Sequence, residues 1–200
     1  MTTVSEGQTV VTPADNVFGA KQGHWTYEHY ANLPDDGQHY EIIDGVLYNM
    51  APVPTGSHQD AAGWFFYYLT VHVRLTGLGH VYTGPRDVEL GQNVVVQPDV
   101  LVLLNDGLGK ITESRVIGAP DLAIEISSPS TAIHDRHRKY VAYARAGVKE
   151  YWIADPKACT VEVLLLEGGV YHSAGVFSGE QTLPSQVVPN FPVQVQQFFA

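Results

Sequence analysis

The sequence predicts one α/β domain of the α+β kind, a central mixed β-sheet flanked by helices. Three observations point there. Runs rich in β-formers both precede and follow two helical patterns, which suits a mixed sheet carrying helices on its faces. The 200 residues, 44% apolar and only 16% charged, suffice for one well-filled core and are few for two. No internal repeat and no interdomain linker divides the chain, so residues 1–200 are taken as a single domain with residues 1–24 as an N-terminal arm.

The elements follow in order. The first two dozen residues are mixed and polar, with Pro13, Gly19 and Gly23, and have no sustained periodicity. They read as an arm suited to embracing a partner subunit. Thr26 is an N-cap candidate for a short helix reaching about Leu33. Residues 40–48 read as a β-hairpin turned at Asp44-Gly45, a pair that tolerates positive φ in a two-residue turn. From Ser57 or His58 to about Leu75 the pattern is one long helix, apolar nearly all round and therefore expected to be mostly buried.

Strands follow between Gly79 and Leu104, with turns at Gly84-Pro85 and at Gly91-Gln92-Asn93. Residues 94–104 form one continuous β-hungry run. Residues 121–126 are a short apolar strand, followed after Ser128-Pro129-Ser130-Thr131 by a helix that Gly147 should end in left-handed geometry. Residues 150–154, 160–166 and 170–172 complete the strands. Residues 183–199 read as edge strand and loop around Pro184, Pro189 and Pro192.

Composition excludes disorder, coiled coil and collagen. The single cysteine, Cys159, excludes an intramolecular disulfide framework and a Cys-rich zinc site. The start carries neither a basic segment nor a long apolar core, and no stretch is apolar for long enough to span a bilayer. A soluble cytoplasmic protein without membrane partners is expected. The net charge of −10 argues against wholesale coating by nucleic acid. Its distribution changes that reading: residues 131–157 hold Arg136, Arg138, Lys139, Arg145, Lys149 and Lys157 against only Asp135, Glu150 and Asp155. A basic stripe of that kind suits a phosphate-binding cleft.

Carboxylates planted in apolar strands are the unusual feature. Asp99 stands in a Val/Leu run and Glu125 between Ile124 and Ile126. A buried unpaired carboxylate is costly, so each needs a cation, a metal or strong donors. Two on neighbouring strands suit Mg2+, which is bound by one or two carboxylates together with water and substrate phosphate. Lys139, one turn beyond Asp135, is the candidate positive charge to orient water or offset transition-state charge.

Pro98-Asp99, then Glu125-Ile126-Ser127, then residues 135–139 resemble the PD-(D/E)XK nuclease superfamily. More narrowly, the chain resembles the Uma2 family. That likeness runs through residues 40–47, 52–58, 97–100, 118–131 and 139–156, an ordered set covering most of the chain. The resemblance implies a restriction-endonuclease-like core, a homodimer, DNA as substrate, and Mg2+ or Mn2+ as the only cofactor, with no organic group. It implies Asp99 and Glu125 as the metal pair, with Glu41 as the additional acid, all three metal-binding and catalytic together with Lys139. Arg136 and Arg138 would hold substrate phosphate. The chain departs from the superfamily pattern at Ser127, where the strand lysine is expected, and the basic role passes to Lys139 on the following helix.

Other residues have plainer readings. Asp44 is turn chemistry, and Asp121 an edge-of-strand cap on the same face as Glu125. His58 serves a helix start, although the resemblance places it near the cleft. His134 and His137 lie on a solvated face, since no third nitrogen or sulfur is spaced to join them. The aromatics at 64–68 are core or dimer packing. A second function class stays open: a catalytically inactive nuclease-fold relative acting as a dimeric interaction module, supported by the net charge and by Ser127.

Overall fold

A computed structural model describes residues 11–50, 55–128 and 131–200. The chain runs β1 (Thr12–Pro13), α1 (Tyr27–Ala31), β2 (Tyr40–Ile43), β3 (Val46–Asn49), α2 (Gly56–Leu69), a π-helical turn (Thr70–Arg74), β4 (Gly79–Thr83), β5 (Asp87–Gly91), β6 (Val94–Val96) and β7 (Val100–Leu104). It continues through β8 (Lys110–Ile111), β9 (Arg115–Ile117), β10 (Leu122–Ile126), a second π-helical turn (His134–Lys139), α3 (Tyr140–Ala146), β11 (Glu150–Asp155), β12 (Thr160–Glu167), β13 (Val170–Ser178) and a 3₁₀ turn (Val195–Phe199).

The α+β class is as expected, but the strands form two mixed sheets rather than one. The six-stranded core sheet has the order β13-β12-β11-β10-β7-β4, and the second, of seven shorter strands, has β1-β3-β2-β6-β5-β9-β8. The division occurs inside the run 94–104 that reads as one strand. Pro98 cannot donate a ladder hydrogen bond, so the chain leaves the second sheet after Val96 and enters the core sheet at Val100. Gln97, Pro98 and Asp99 bridge the two sheets, and that crossing point becomes part of the site.

Period-two alternation divides the core sheet cleanly. Leu122, Ile124 and Ile126 face one layer with Trp152, Val100 and Phe65, and α2 and the segment 183–198 cover them. Ala123, Tyr151, Ile153 and Leu101 face the other layer, where Val88, Val96, Val116 and Tyr143 meet them from the second sheet and α3. Glu125 shares the parity of Ala123, and Glu41 that of Ile43, so both carboxylates point into the layer between the sheets.

Of four local outcomes, three differ from the sequence reading and the last agrees with it. From residue 11 onward the arm packs on its own chain. Pro13 pairs with Tyr48, the Ala14 amide donates to Leu47 O at 2.8 Å, and Trp25 is buried; the β1–β3 ladder and the Gln22 bonds to Leu47 tie residues 11–25 to their own sheet. Residues 1–10 of that arm lie outside the described residues. The long helix is amphipathic in burial: Ala61, Phe65, Leu69 and Val73 are buried at helical spacing, while Tyr67 is 53% exposed. Side-chain length lets Trp64 and Tyr68 stack along its outer edge with centroids 5.8 Å apart. The C-terminal segment is loop and 3₁₀ turn, with only a Thr182–Gln194 bridge in strand-like pairing. Finally, Asp44 (φ 52) and Gly45 (φ 75) make the expected hairpin turn, and Gly147 (φ 87) ends α3 as expected.

Glu150 explains how that loop stays on the sheet. It is fully buried and accepts from Trp152 Nε1 (3.2 Å), Ser185 Oγ (2.8 Å), the Val187 amide (3.0 Å) and the Gln186 amide. Replacing it by alanine leaves four donors without their acceptor. Glu150→Ala should therefore cost on the order of 3 kcal/mol, read as a lowered urea midpoint. Glu150→Gln, which keeps an acceptor oxygen, should cost less.

Candidate functional site

The second π-helical turn assembles the site. In an α-helix, residues five apart diverge by about 140° around the axis. Here the Tyr140 amide donates to Asp135 O, the i→i+5 pattern that places such residues one turn apart. His134 and Lys139 therefore reach the same carboxylate. His134 Nε2 lies 3.1 Å from Glu41 Oε2, and Lys139 Nζ lies 2.8 Å from Glu41 Oε1. Glu41 is held ionised and cannot donate, so Nε2 carries the shared proton.

Lys139 is also 3.0 Å from Glu125 Oε1 and 3.9 Å from Asp135 Oδ1. One turn on, Tyr143 donates to the same Glu125 Oε1 at 2.6 Å. The Gln97 amide, at the crossing between sheets, donates to Glu41 Oε1 at 2.7 Å. Glu41, Glu125, His134, Asp135 and Lys139 are all buried.

Asp99 sits at the opening of this cluster. The β7–β10 register pairs Val100 with Ile124, and one step further sets Asp99 beside Glu125. Asp99 Oδ2 accepts from the Ile126 amide at 2.7 Å and lies 3.2 Å from His58 Nε2. Its side chain is 25% exposed, so the acid edge meets solvent here. His58 belongs to the first turn of α2, where its amide donates to the Thr55 cap at 3.4 Å.

The charges are strongly perturbed. Burial pushes Glu41 upward, but Lys139 and His134 outweigh it and hold the carboxyl low, at about 2. Burial drives Glu125 well above the usual range, reinforced by Asp135, Asp99 and Glu41 against Lys139. Burial likewise lifts Asp135 to about 6, although Lys139 and the Thr131 hydrogen bond oppose it. Burial disfavours the Lys139 ammonium, yet Glu125, Glu41 and Asp135 together keep it charged. In His58, burial is outweighed by the hydrogen bond to Asp99, which raises its pKa.

Glu41 therefore contributes stability that is full above its ordinary 4.5 and lost as pH falls toward 2. That is about 3 kcal/mol. Glu41→Gln should flatten the acid limb of a stability–pH curve between those values, measured as urea midpoints. An unchanged limb would assign the acid sensitivity to other carboxylates.

The sequence-predicted residues thus separate into groups. Glu41, Glu125 and Lys139 are brought together, with Asp99 beside Glu125 and His58 on Asp99. Among the described residues, no three or more His, Cys, Asp or Glu side chains form a metal-holding group, so the set Glu41, Asp99 and Glu125 is not assembled as three ligands. The Glu41 oxygens are occupied by Lys139, Gln97 and His134. Asp99 and Glu125 are a different matter. Among the described residues, the contacts to Glu125 fall on Oε1 and those to Asp99 on Oδ2, leaving one oxygen of each acid over. Three buried carboxylates surround a single ammonium. Two carboxylate oxygens in an acid-rich cluster fit a hard divalent cation that takes its remaining ligands from water and phosphate.

The basic stripe changes most. Arg136 is paired with Glu162 (2.6 Å), Arg145 with Asp44 (3.2 Å) and Lys149 with Asp121 (2.8 Å). Asp121 also caps the Leu104 amide at 2.7 Å, as its structural reading anticipates. Arg138 has no acid partner among the described residues; its guanidinium lies 4.8 Å over the Tyr48 ring, which meets His134 edge-on. His137 is exposed as expected, whereas His134 is a core residue of the site. The sequence reading also misses Tyr143 and the Gln97 amide. A buried tyrosine and a backbone donor leave no motif, and the His134–Lys139 spacing is meaningful only once the helix is π-wound.

The profile of the Uma2 family, described as “Putative restriction endonuclease”, matches residues 27–196. A solved structure described as a “putative nuclease belonging to DUF820” from Anabaena variabilis ATCC 29413 superposes with a TM-score of 0.70 at 21% identity, covering 88% of this chain and 97% of that one. At that identity the likeness speaks for a shared fold. No curated protein matches the chain. No helix among the described residues is long and apolar enough to cross a membrane.

Proposed function

The chain belongs to the Uma2 family, and from that premise we propose that it is a Mg2+- or Mn2+-dependent endonuclease hydrolysing DNA phosphodiester bonds. The observation that carries the reading is Lys139 bridging Glu41 and Glu125 within 3.0 Å, with Asp99 beside Glu125 at the solvent edge. A fixed cation next to two strand-borne carboxylates is what phosphoryl transfer needs from a protein: positioning, and offset of developing charge.

Asp99 and Glu125 would hold the divalent ion. When bound, that ion polarises the phosphoryl oxygen and makes an attacking water more acidic. Lys139 takes over the role of the strand lysine that is absent at Ser127. It is kept charged by three carboxylates, aligns the water and offsets charge on the phosphorane-like transition state. Glu41 anchors Lys139 rather than ligating the metal, and His134 and the Gln97 amide fix Glu41 in turn. Arg138, free of acid partners among the described residues, holds a backbone phosphate. Arg136 reaches one only by giving up Glu162, an exchange that costs little for a pair this exposed. In the net step water oxygen bonds to phosphorus, the P–O bond to the leaving sugar oxygen breaks, and that oxygen takes the water's proton.

Incubation of the full chain with supercoiled DNA, linear DNA and RNA tests this. Nicking or cutting of DNA with Mg2+ or Mn2+, abolished by EDTA, is expected. No cleavage of DNA under any divalent ion would overturn the reading, and cleavage confined to RNA would move the substrate class.

A further inference from the structure

We propose that Tyr143 is a positioning residue for Glu125: its hydroxyl turns one carboxylate oxygen toward the lysine and so presents the other to the divalent ion. The inference rests on the reading of Asp99 and Glu125 as the ion's ligands.

The Tyr143 side chain is fully buried, and among the described residues its only hydrogen bond is the 2.6 Å donation to Glu125 Oε1. Packing alone does not call for that hydroxyl. A phenylalanine would fill the same volume without the cost of burying a polar group. Lys139 reaches the same oxygen from one turn earlier, so two donors from one helix face converge on Oε1. As a carboxylate, the form in which it would hold a divalent ion, Glu125 offers acceptor sites on both oxygens. Placing both donors on one of them fixes the plane of the group and leaves Oε2, on a residue whose cross-strand neighbour is Asp99, without a hydrogen bond among the described residues.

The ring itself is held. It packs against Tyr151 with centroids 5.0 Å apart, and the Tyr151 hydroxyl donates to the Asp135 carbonyl at 3.1 Å. The phenol is thus tied to the same π-helical turn that supplies Lys139. Hydrogen-bonding partners of this kind orient metal-ligating carboxylates, and their loss typically weakens metal affinity by about 10–100-fold.

The test is calorimetric Mn2+ titration of wild type, Tyr143→Phe and Tyr171→Phe, with circular dichroism to confirm that the fold persists. Tyr143→Phe keeps the ring and its contacts. Tyr171 is a comparably buried phenol that donates to Val148 O at 2.8 Å, away from the acids. A 10–100-fold weaker affinity in Tyr143→Phe alone is expected, with no further loss from that change in a Glu125→Ala background. Equal affinity in wild type and Tyr143→Phe would overturn the positioning role and leave the metal reading standing, as would an equal loss in both phenylalanine variants. Absence of Mn2+ binding in wild type would overturn both together.

Discussion

Lys139→Met should lower the free energy of unfolding by about 3–5 kcal/mol at neutral pH, because removing one partner leaves a buried charge uncompensated. Glu41 has no exposed surface and would keep only His134 and the Gln97 amide. The loss should shrink as the pH is lowered. Without the ammonium, burial pushes the Glu41 carboxyl upward, and it takes a proton that the wild-type group holds off to about pH 2. Urea midpoints of both proteins at neutral and mildly acid pH measure this. A pH-independent loss would assign the destabilisation to packing of the long side chain instead. Cleavage should fall by about 10²–10³-fold in the same variant, the usual cost of removing one electrostatic contact to a developing charge.

Asp99→Ala should behave in the opposite sense, with a small structural effect and a large functional one. Asp99 is partly exposed, and among the described residues its side chain meets the Ile126 amide and His58, so stability should fall by only about 1–2 kcal/mol. Cleavage should nevertheless drop by about 10³-fold or more, since one of the two carboxylates able to hold the divalent ion is gone. Calorimetry should find Mn2+ binding lost with the activity. A well-folded Asp99→Ala protein that cuts at the wild-type rate would remove Asp99 from the site.

Much of this was legible in the sequence, for definable reasons. Glu125 and Asp99 stand out because a carboxylate inside an apolar strand must be compensated, and adjacent strands do bring them side by side. Asp44-Gly45 and Gly147 are legible because positive φ restricts residue choice. Lys139 is legible through charge and through the family pattern, and it meets Glu125 although the strand position, Ser127, holds no lysine. What stayed hidden depends on geometry that no residue type encodes. The run 94–104 reads as one strand, and only the partners of Val95 and Val100 reveal that its halves belong to different sheets. His134 looks like a solvated neighbour of His137 while the helix is imagined with 3.6 residues per turn; π winding makes it a ligand of Glu41. The basic stripe is real in sequence, yet cross-strand acids absorb most of it: Glu162, Asp44 and Asp121 come from distant segments. Local charge counting cannot see such partners.

The divergence between structural and catalytic roles for the buried cluster can be put to one measurement: the Mg2+-dependent DNA cleavage rate of the double variant Lys139→Met/Glu41→Gln. Removing both members of the pair leaves no unpaired charge at Glu41, so the fold should recover most of the stability lost in Lys139→Met. The reading of Lys139 as the cation of a phosphodiesterase centre predicts a folded protein without measurable cleavage. Cleavage at the wild-type rate would contradict it and reduce the lysine to a structural ion pair.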